Sequence, residues 1–193
     1  GITFMSQKPE TIAQQVESAQ APGKGLPPLE TWNPELSGDI DIVIARDGQW
    51  LYQGKPIGRD AIVKLFSTIL RQESDGHHYL VTPVEKWRIT VEDTAILAHS
   101  LEVSGSGKDQ VLSVTTNTGE TLLVGDEHPL HIGVYEGTNE PRPVIGLRHG
   151  VEARLVTAAY YDLADRVTEE SSGEDTVIGV WSSGNFYKIA DNG

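Results

Sequence analysis

The chain has 193 residues, enough to bury a core of ordinary size as one large domain or two small ones. Its 28 Asp and Glu against 15 Lys and Arg set a formal net charge of -13, which repels nucleic-acid phosphates and anionic lipid and argues against both as partners. Cysteine is absent, which removes disulfide frameworks, thiolate nucleophiles and cysteine-ligated zinc or iron-sulfur sites.

No stretch approaches the roughly 20 consecutive apolar residues of a membrane span, and the first residues lack the basic start and apolar core of a secretion signal. The expectation is a soluble, cytoplasmic protein, with Met5-Ser6 reading as a natural start. From Pro9 to Ala19, Ile12, Val16 and Ala19 fall on one face of a short helix with Pro9 in its first turn. The prolines and glycines of Ala21–Pro28 then make a linker. Trp32 reads as the aromatic that pins this arm to the body.

Ile40, Ile42 and Ile44 alternate with Asp39, Asp41 and Val43, the pattern of a strand with one dry and one wet face. Asp47-Gly48 turns the chain into a short strand, Trp50-Leu51-Tyr52, which Gly54 and Pro56 close. A helix follows, because Ala61, Ile62, Leu65, Phe66, Ile69 and Leu70 recur at spacings of three and four. Asp60, four residues before Lys64, supports it by about 0.2 to 0.5 kcal/mol, and Asp75-Gly76 ends it. His78–Thr82 is a strand, and Trp87, Ile89 and Val91 alternating with Lys86, Arg88 and Thr90 make another.

Further strands are expected over Ile96–Val103, Val111–Thr116, Thr121–Val124, Leu130–Tyr135 and Val144–Leu147. Val156, Tyr160, Leu163 and Val167 recur at helical spacing, although Val151, Ala153 and Leu155 also alternate as in a strand. Glu169–Asp175 reads as a solvated loop before Val177–Trp181 and Phe186–Ile189. Gly119 and Gly125 are spaced like Gly48 and Gly54, and Ser183–Ile189 stands where Ser74–Leu80 stood. We read this as a diverged internal duplication. The fold class is α+β, two related units, each a small curved antiparallel sheet packed by one helix. The expected division is an N-terminal arm and linker over 1–28, a first unit over 29–103 and a second over 104–193.

No G-x-S-x-G elbow, S-x-x-K, Walker A or G-x-G-x-x-G is present, so no catalytic residue and no cofactor is assigned. The adjacent His77 and His78 point to opposite faces of a strand and do not share an ion. Asp126, His128 and His131 would gather around a cation only if their loop folded back, and no metal site is assigned. Asp39 and Asp41 share one strand face. The concentration of cations is Arg46, Lys55, Arg59, Lys64, Lys86 and Arg88, all in the first unit. With Trp50 and Tyr52 on a neighbouring strand, Arg59, Lys86 and Arg88 are the residues expected to line a site for an anionic or planar ligand. Pairing with the abundant carboxylates is the competing role for these cations.

The run from Trp32 to Phe66, with Asp47-Gly48-x-Trp50 and Gly54-x-Pro56-Ile57-Gly58-Arg59, followed by Thr82-Pro83-Val84-Glu85-Lys86, resembles a bacterial family, the domain of unknown function numbered 1285. The resemblance covers Leu29 to the end of the chain. Two departures stand out: Ser37 replaces a cysteine frequent in the family, and the proline-aromatic pair is missing near Thr94-Ala95-Ile96. The resemblance implies a two-part α+β fold of repeated motifs, loosely similar to pleckstrin-homology modules and, by that analogy, a role in signalling. It carries no catalytic residue to transfer.

The function expected is a non-enzymatic bacterial module that binds a small anionic molecule or a protein partner. The alternatives are an enzyme using Asp or His as acid or base, which needs a deep pocket at Asp39, Asp41 or a loop histidine, and a self-associating scaffold pairing through sheet edges. Homo-oligomerisation is left open.

Overall fold

The computed structural model of the protein describes residues 8–19 and 25–192. The Met5-Ser6 start and the Ala21–Lys24 part of the linker lie outside the described residues. The chain divides into two compact units, Gly1–Ala95 with His149–Val151, and Ile96–Arg148 with Glu152–Gly193. Among the described residues no helix is long and apolar enough to cross a membrane.

The first unit contains α1 (Pro9–Ala19), β1 (Leu36–Ile44), β2 (Trp50–Tyr52), β3 (Lys55–Pro56), α2 (Asp60–Ser67), β4 (Leu70–Gln72), β5 (His78–Val81) and β6 (Lys86–Val91). Its sheet runs β3-β2-β1-β6-β5-β4. Ile40, Ile42 and Ile44 are buried while Asp39 and Asp41 are exposed, so the alternation in β1 puts one face into the core. Trp50 lies on that same face, opposite Ile44, and meets Phe66 of α2 at a ring distance of 6.1 Å. Ile12 and Val16 of α1 are fully buried, and α1 lies against α2. Trp32 is buried as expected, and Arg71 donates to the carbonyls of Leu29 (2.5 Å) and Trp32 (2.8 Å), fastening the stretch that leads into β1 to β4.

Helix α2 is shorter than its apolar spacing suggested. The hydroxyls of Ser67 and Thr68 donate to the carbonyls of Lys64 and Leu65, both at 2.6 Å, at the end of the last turn. Leu70 then pairs with Leu80 in a strand that the helical pattern had absorbed, and Asp75-Gly76 turns β4 into β5 instead of ending the helix. The Asp60–Lys64 ion pair is not formed among the described residues.

The second unit contains β7 (Ile96–Ser104), β8 (Val111–Thr116), β9 (Thr121–Leu123), β10 (Leu130–Val134), β11 (Pro141–Gly146), β12 (Glu152–Leu155), α3 (Thr157–Ala164), β13 (Thr168–Ser172), β14 (Asp175–Ser182) and β15 (Asn185–Asn192). Its six-stranded sheet runs β9-β8-β7-β12-β11-β10, and β13-β14-β15 form a third sheet. The expected loop at Glu169–Asp175 is largely strand: β13 pairs with β14 from Thr168–Gly179 to Ser172–Asp175. The run Thr168–Ser172 shows no apolar alternation because this edge strand is mostly exposed.

Both six-stranded sheets follow one plan, third-second-first-sixth-fifth-fourth, and the fold is α+β with an internal duplication. Each sheet is mixed, not purely antiparallel, because its first and sixth strands run parallel: Asp39 opposite Arg88 in one, Ile96 opposite Ala153 in the other. The register of the repeat also differs from the one expected. Gly119 sits in the β8–β9 turn, the counterpart of the β2–β3 turn at Gly54, and not of the turn at Gly48. Ser183–Ile189 belongs to the third sheet, which the first unit lacks among its described residues. Glycines stand in most of the hairpin turns, the Thr82–Glu85 turn between β5 and β6 being an exception, so their spacing does not say which hairpin matches which.

Candidate functional site

The β2–β3 connection is a two-residue turn in which Gln53 (φ 52°) and Gly54 (φ 80°) both take left-handed backbone angles, the requirement of a tight hairpin. It folds Lys55 back opposite Tyr52. Pro56 and Gly58 carry the chain extended to Arg59, whose backbone precedes α2 without a side-chain cap. The result is a cleft of about 280 Å³ between the first turn of α1 (Pro9, Glu10), the hairpin (Tyr52, Lys55, Pro56) and the start of α2 (Arg59, Ile62). Lys55 and Arg59 are exposed and have no ion-pair partner among the described residues.

The other cations of this unit behave differently. Lys86 Nζ lies 3.0 Å from Glu73 Oε1 and 4.7 Å from the centre of the Tyr79 ring. Arg88 has its guanidinium carbon 6.0 Å from the same ring, and its Nε stands 3.2 Å from Asp39 Oδ1, close enough for an ion pair but out of line for a hydrogen bond. Arg71 adds a contact of 3.6 Å to Glu73. Tyr79, itself buried, donates its hydroxyl to Asp75 Oδ2 at 2.6 Å. That bond, with the His77 amide on the other oxygen, holds the Asp75 carboxyl below the usual aspartate range, and it raises the Tyr79 hydroxyl above its ordinary value. Each cation of the group thus faces a carboxylate, although Arg88 Nε makes no hydrogen bond.

The five residues expected to form one site therefore separate. Tyr52 and Arg59 share the hairpin cleft. Lys86 and Arg88 lie on the opposite face of the sheet, because Tyr52 pairs with Ile42 on the core side whereas Arg88 pairs with Asp39 on the wet side. Trp50 is only 3% exposed and packs in the core, so it presents no surface to a ligand. Lys55 is the missed member of the cleft. Its signal was the Gln53-Gly54 turn, which fixes Lys55 opposite Tyr52 once the hairpin is recognised.

Two further hollows adjoin β1 where its pairing with β6 slips between Asp39 and Val43. One of about 320 Å³ is lined by Asp39, Asp41, Tyr52 and Trp87, and one of about 290 Å³ by Asp39, His77, His78 and Arg88. His78 opens β5 and is buried, while His77 precedes the strand in the turn and is exposed; burial pushes His78 down to about 4. Among the described residues no three His, Asp or Glu side chains gather in an arrangement able to hold a metal ion. In the second unit His128 bonds the Gly146 carbonyl through Nδ1 at 2.9 Å.

A duplicated pair of mixed six-stranded sheets, with its candidate cleft in the first, defines a two-part α+β protein of repeated units. Residues 27–94 match the family model "Domain of unknown function (DUF1285), N-terminal domain" and residues 95–189 match "Protein of unknown function (DUF1285), C-terminal domain". The chain belongs to this family. It is similar to the crystal structure of a DUF1285 family protein from Silicibacter pomeroyi DSS-3, at 39% identity over 95% of each chain with a TM-score of 0.83. A DUF1285 family protein from Shewanella baltica OS155 is 27% identical, over 64% of this chain and 90% of that one, with a TM-score of 0.50. No curated protein matches the sequence.

Proposed function

We propose that the first unit is a binding module for a small anion, held in the hairpin cleft by Lys55 and Arg59. One observation carries this reading. In a chain of net charge -13, where Lys86 and Arg71 both reach Glu73, Arg88 reaches Asp39 and Arg46 reaches Asp93, two cations lining one cleft have no such partner among the described residues. An anion with oxygen acceptors would take charge-assisted hydrogen bonds from both, while Tyr52, Pro56 and Ile62 supply a less polar wall.

The test is native mass spectrometry of the protein isolated from its own organism, alongside variants purified in the same way. A small-molecule mass retained by the wild-type chain should disappear in Lys55→Ala and Arg59→Ala and persist in Lys86→Ala. Retention of that mass in the double variant Lys55→Ala/Arg59→Ala would refute this placement.

A further inference from the structure

Helix α1 is short and lies against α2. It precedes the residues matched by the family model, which begin at 27, and it joins the sheet through the proline- and glycine-containing stretch 20–28. Eleven residues are too few for a stable helix alone in water, so its helical form depends on docking. That docking is made by Ile12, Ala13 and Val16, all nearly or fully buried. At its middle, Gln15 accepts a hydrogen bond from the Thr82 hydroxyl at 3.0 Å and donates to the Glu85 carboxylate in the β5–β6 turn. At its start, Pro9 and Glu10 form one wall of the hairpin cleft, whose other walls belong to β2, β3 and α2.

We infer that α1 is a strap over the hairpin cleft, so that filling the cleft holds α1 down and releasing α1 weakens whatever the cleft holds. This rests on the reading of the cleft as an anion site. The coupling follows from the shared wall. A molecule in the cleft touches α1 and the sheet body together, and so binds the docked state better than the released one; the shift in each equilibrium equals that difference in affinity. The sheet itself need not open, since its strands begin at Leu36 and their pairing does not involve α1. Glu10 lines the same cleft as Lys55 and Arg59, so docking of α1 sets charged residues of both signs around it.

The experiment is hydrogen-deuterium exchange on the full chain, with and without inorganic pyrophosphate, paired with calorimetric titration of pyrophosphate into wild type, Val16→Asp and the milder Gln15→Ala. Without pyrophosphate, the amides of residues 10–19 should exchange about 100-fold faster than those of β6, as expected for local release. Saturating pyrophosphate should slow them about tenfold, and Val16→Asp should raise the pyrophosphate Kd about tenfold, with Gln15→Ala shifting it in the same direction by less. If pyrophosphate binds wild type and both variants equally and leaves α1 exchange unchanged, the strap is wrong and the anion site stands. If α1 exchanges as slowly as β6 in the free protein, the strap is wrong whatever pyrophosphate does. Absence of any pyrophosphate binding to the wild-type chain would bring down the anion site and the coupling with it.

Discussion

The two six-stranded sheets share an order of strands, yet they are furnished differently. In the first unit a helix, α2, joins the third strand to the fourth; in the second that connection is the short stretch 124–129, and the helix comes after the sixth strand. The second unit adds a three-stranded sheet, tied in by Ser182, whose buried hydroxyl donates to the Val124 carbonyl at 2.7 Å and accepts from the Leu112 amide at 2.9 Å. The first unit carries nine Lys and Arg against thirteen Asp and Glu, the second six against fifteen. A strand order is kept because backbone pairing tolerates many sequences, whereas the covering elements and the charges are free to change. The helix inserted in the first unit is also what creates the cleft, since its start supplies Arg59 and Ile62.

The strongest way to break this comparison is Phe66→Ala. Phe66 is fully buried between α2 and Trp50, and its loss should cost about 3 to 5 kcal/mol. Tryptophan emission should report the loss, because Trp32, Trp50 and Trp87 belong to the first unit and only Trp181 to the second. Hydrogen exchange of β7–β12 should stay slow; equal loss of protection there would show that the two units do not keep separate stabilities. Ser182→Ala is the matching change in the second unit. It leaves the Leu112 amide and the Val124 carbonyl without their shared partner, at a cost of about 1 to 3 kcal/mol measured by urea unfolding. A cost near zero would mean that water or a shifted strand replaces the hydroxyl.

Acid should act on the first unit through His78. Its folded value of about 4 lies below the ordinary 6.5, so between these values the unfolded chain binds a proton that the folded chain refuses. The stabilisation is complete above 6.5 and is lost as the pH falls toward 4, with a slope of up to about 1.4 kcal/mol per pH unit. Asp75 acts in the same direction but lower, because its depressed carboxyl loses stabilisation only as the pH falls below the usual 3.8. Urea midpoints of wild type and His78→Gln across the upper window check this, the variant being expected to show the flatter profile. Equal slopes would place the acid sensitivity elsewhere.

The strands with one dry and one wet face were legible from local order, because burial on a sheet alternates residue by residue. Ile40, Ile42 and Ile44 in β1, and Trp87 and Ile89 in β6, sit where their spacing placed them; α1 docks through Ile12 and Val16 as its spacing marked, but Ala13 takes part and Ala19 is exposed. Strands β4 and β13 were not legible: Leu70 continued a helical spacing by chance, and Thr168–Ser172 has no dry face to show. The parallel pairing at the centre of each sheet was hidden too, since β1 meets β6, and β7 meets β12, across long stretches of chain.

The candidate site divides in the same way. Composition and spacing already told that the first unit holds a concentration of cations and aromatics in an acidic chain. Which of those cations are occupied was decided by tertiary structure. Glu73 reaches Lys86 only because β4 and β5 form a hairpin, and Asp39 reaches Arg88 only because β1 lies beside β6. Trp50 turned inward and Lys55 came to face Tyr52 for one physical reason: on a sheet the face a side chain takes follows from register, and register is set by partners that a linear pattern does not name.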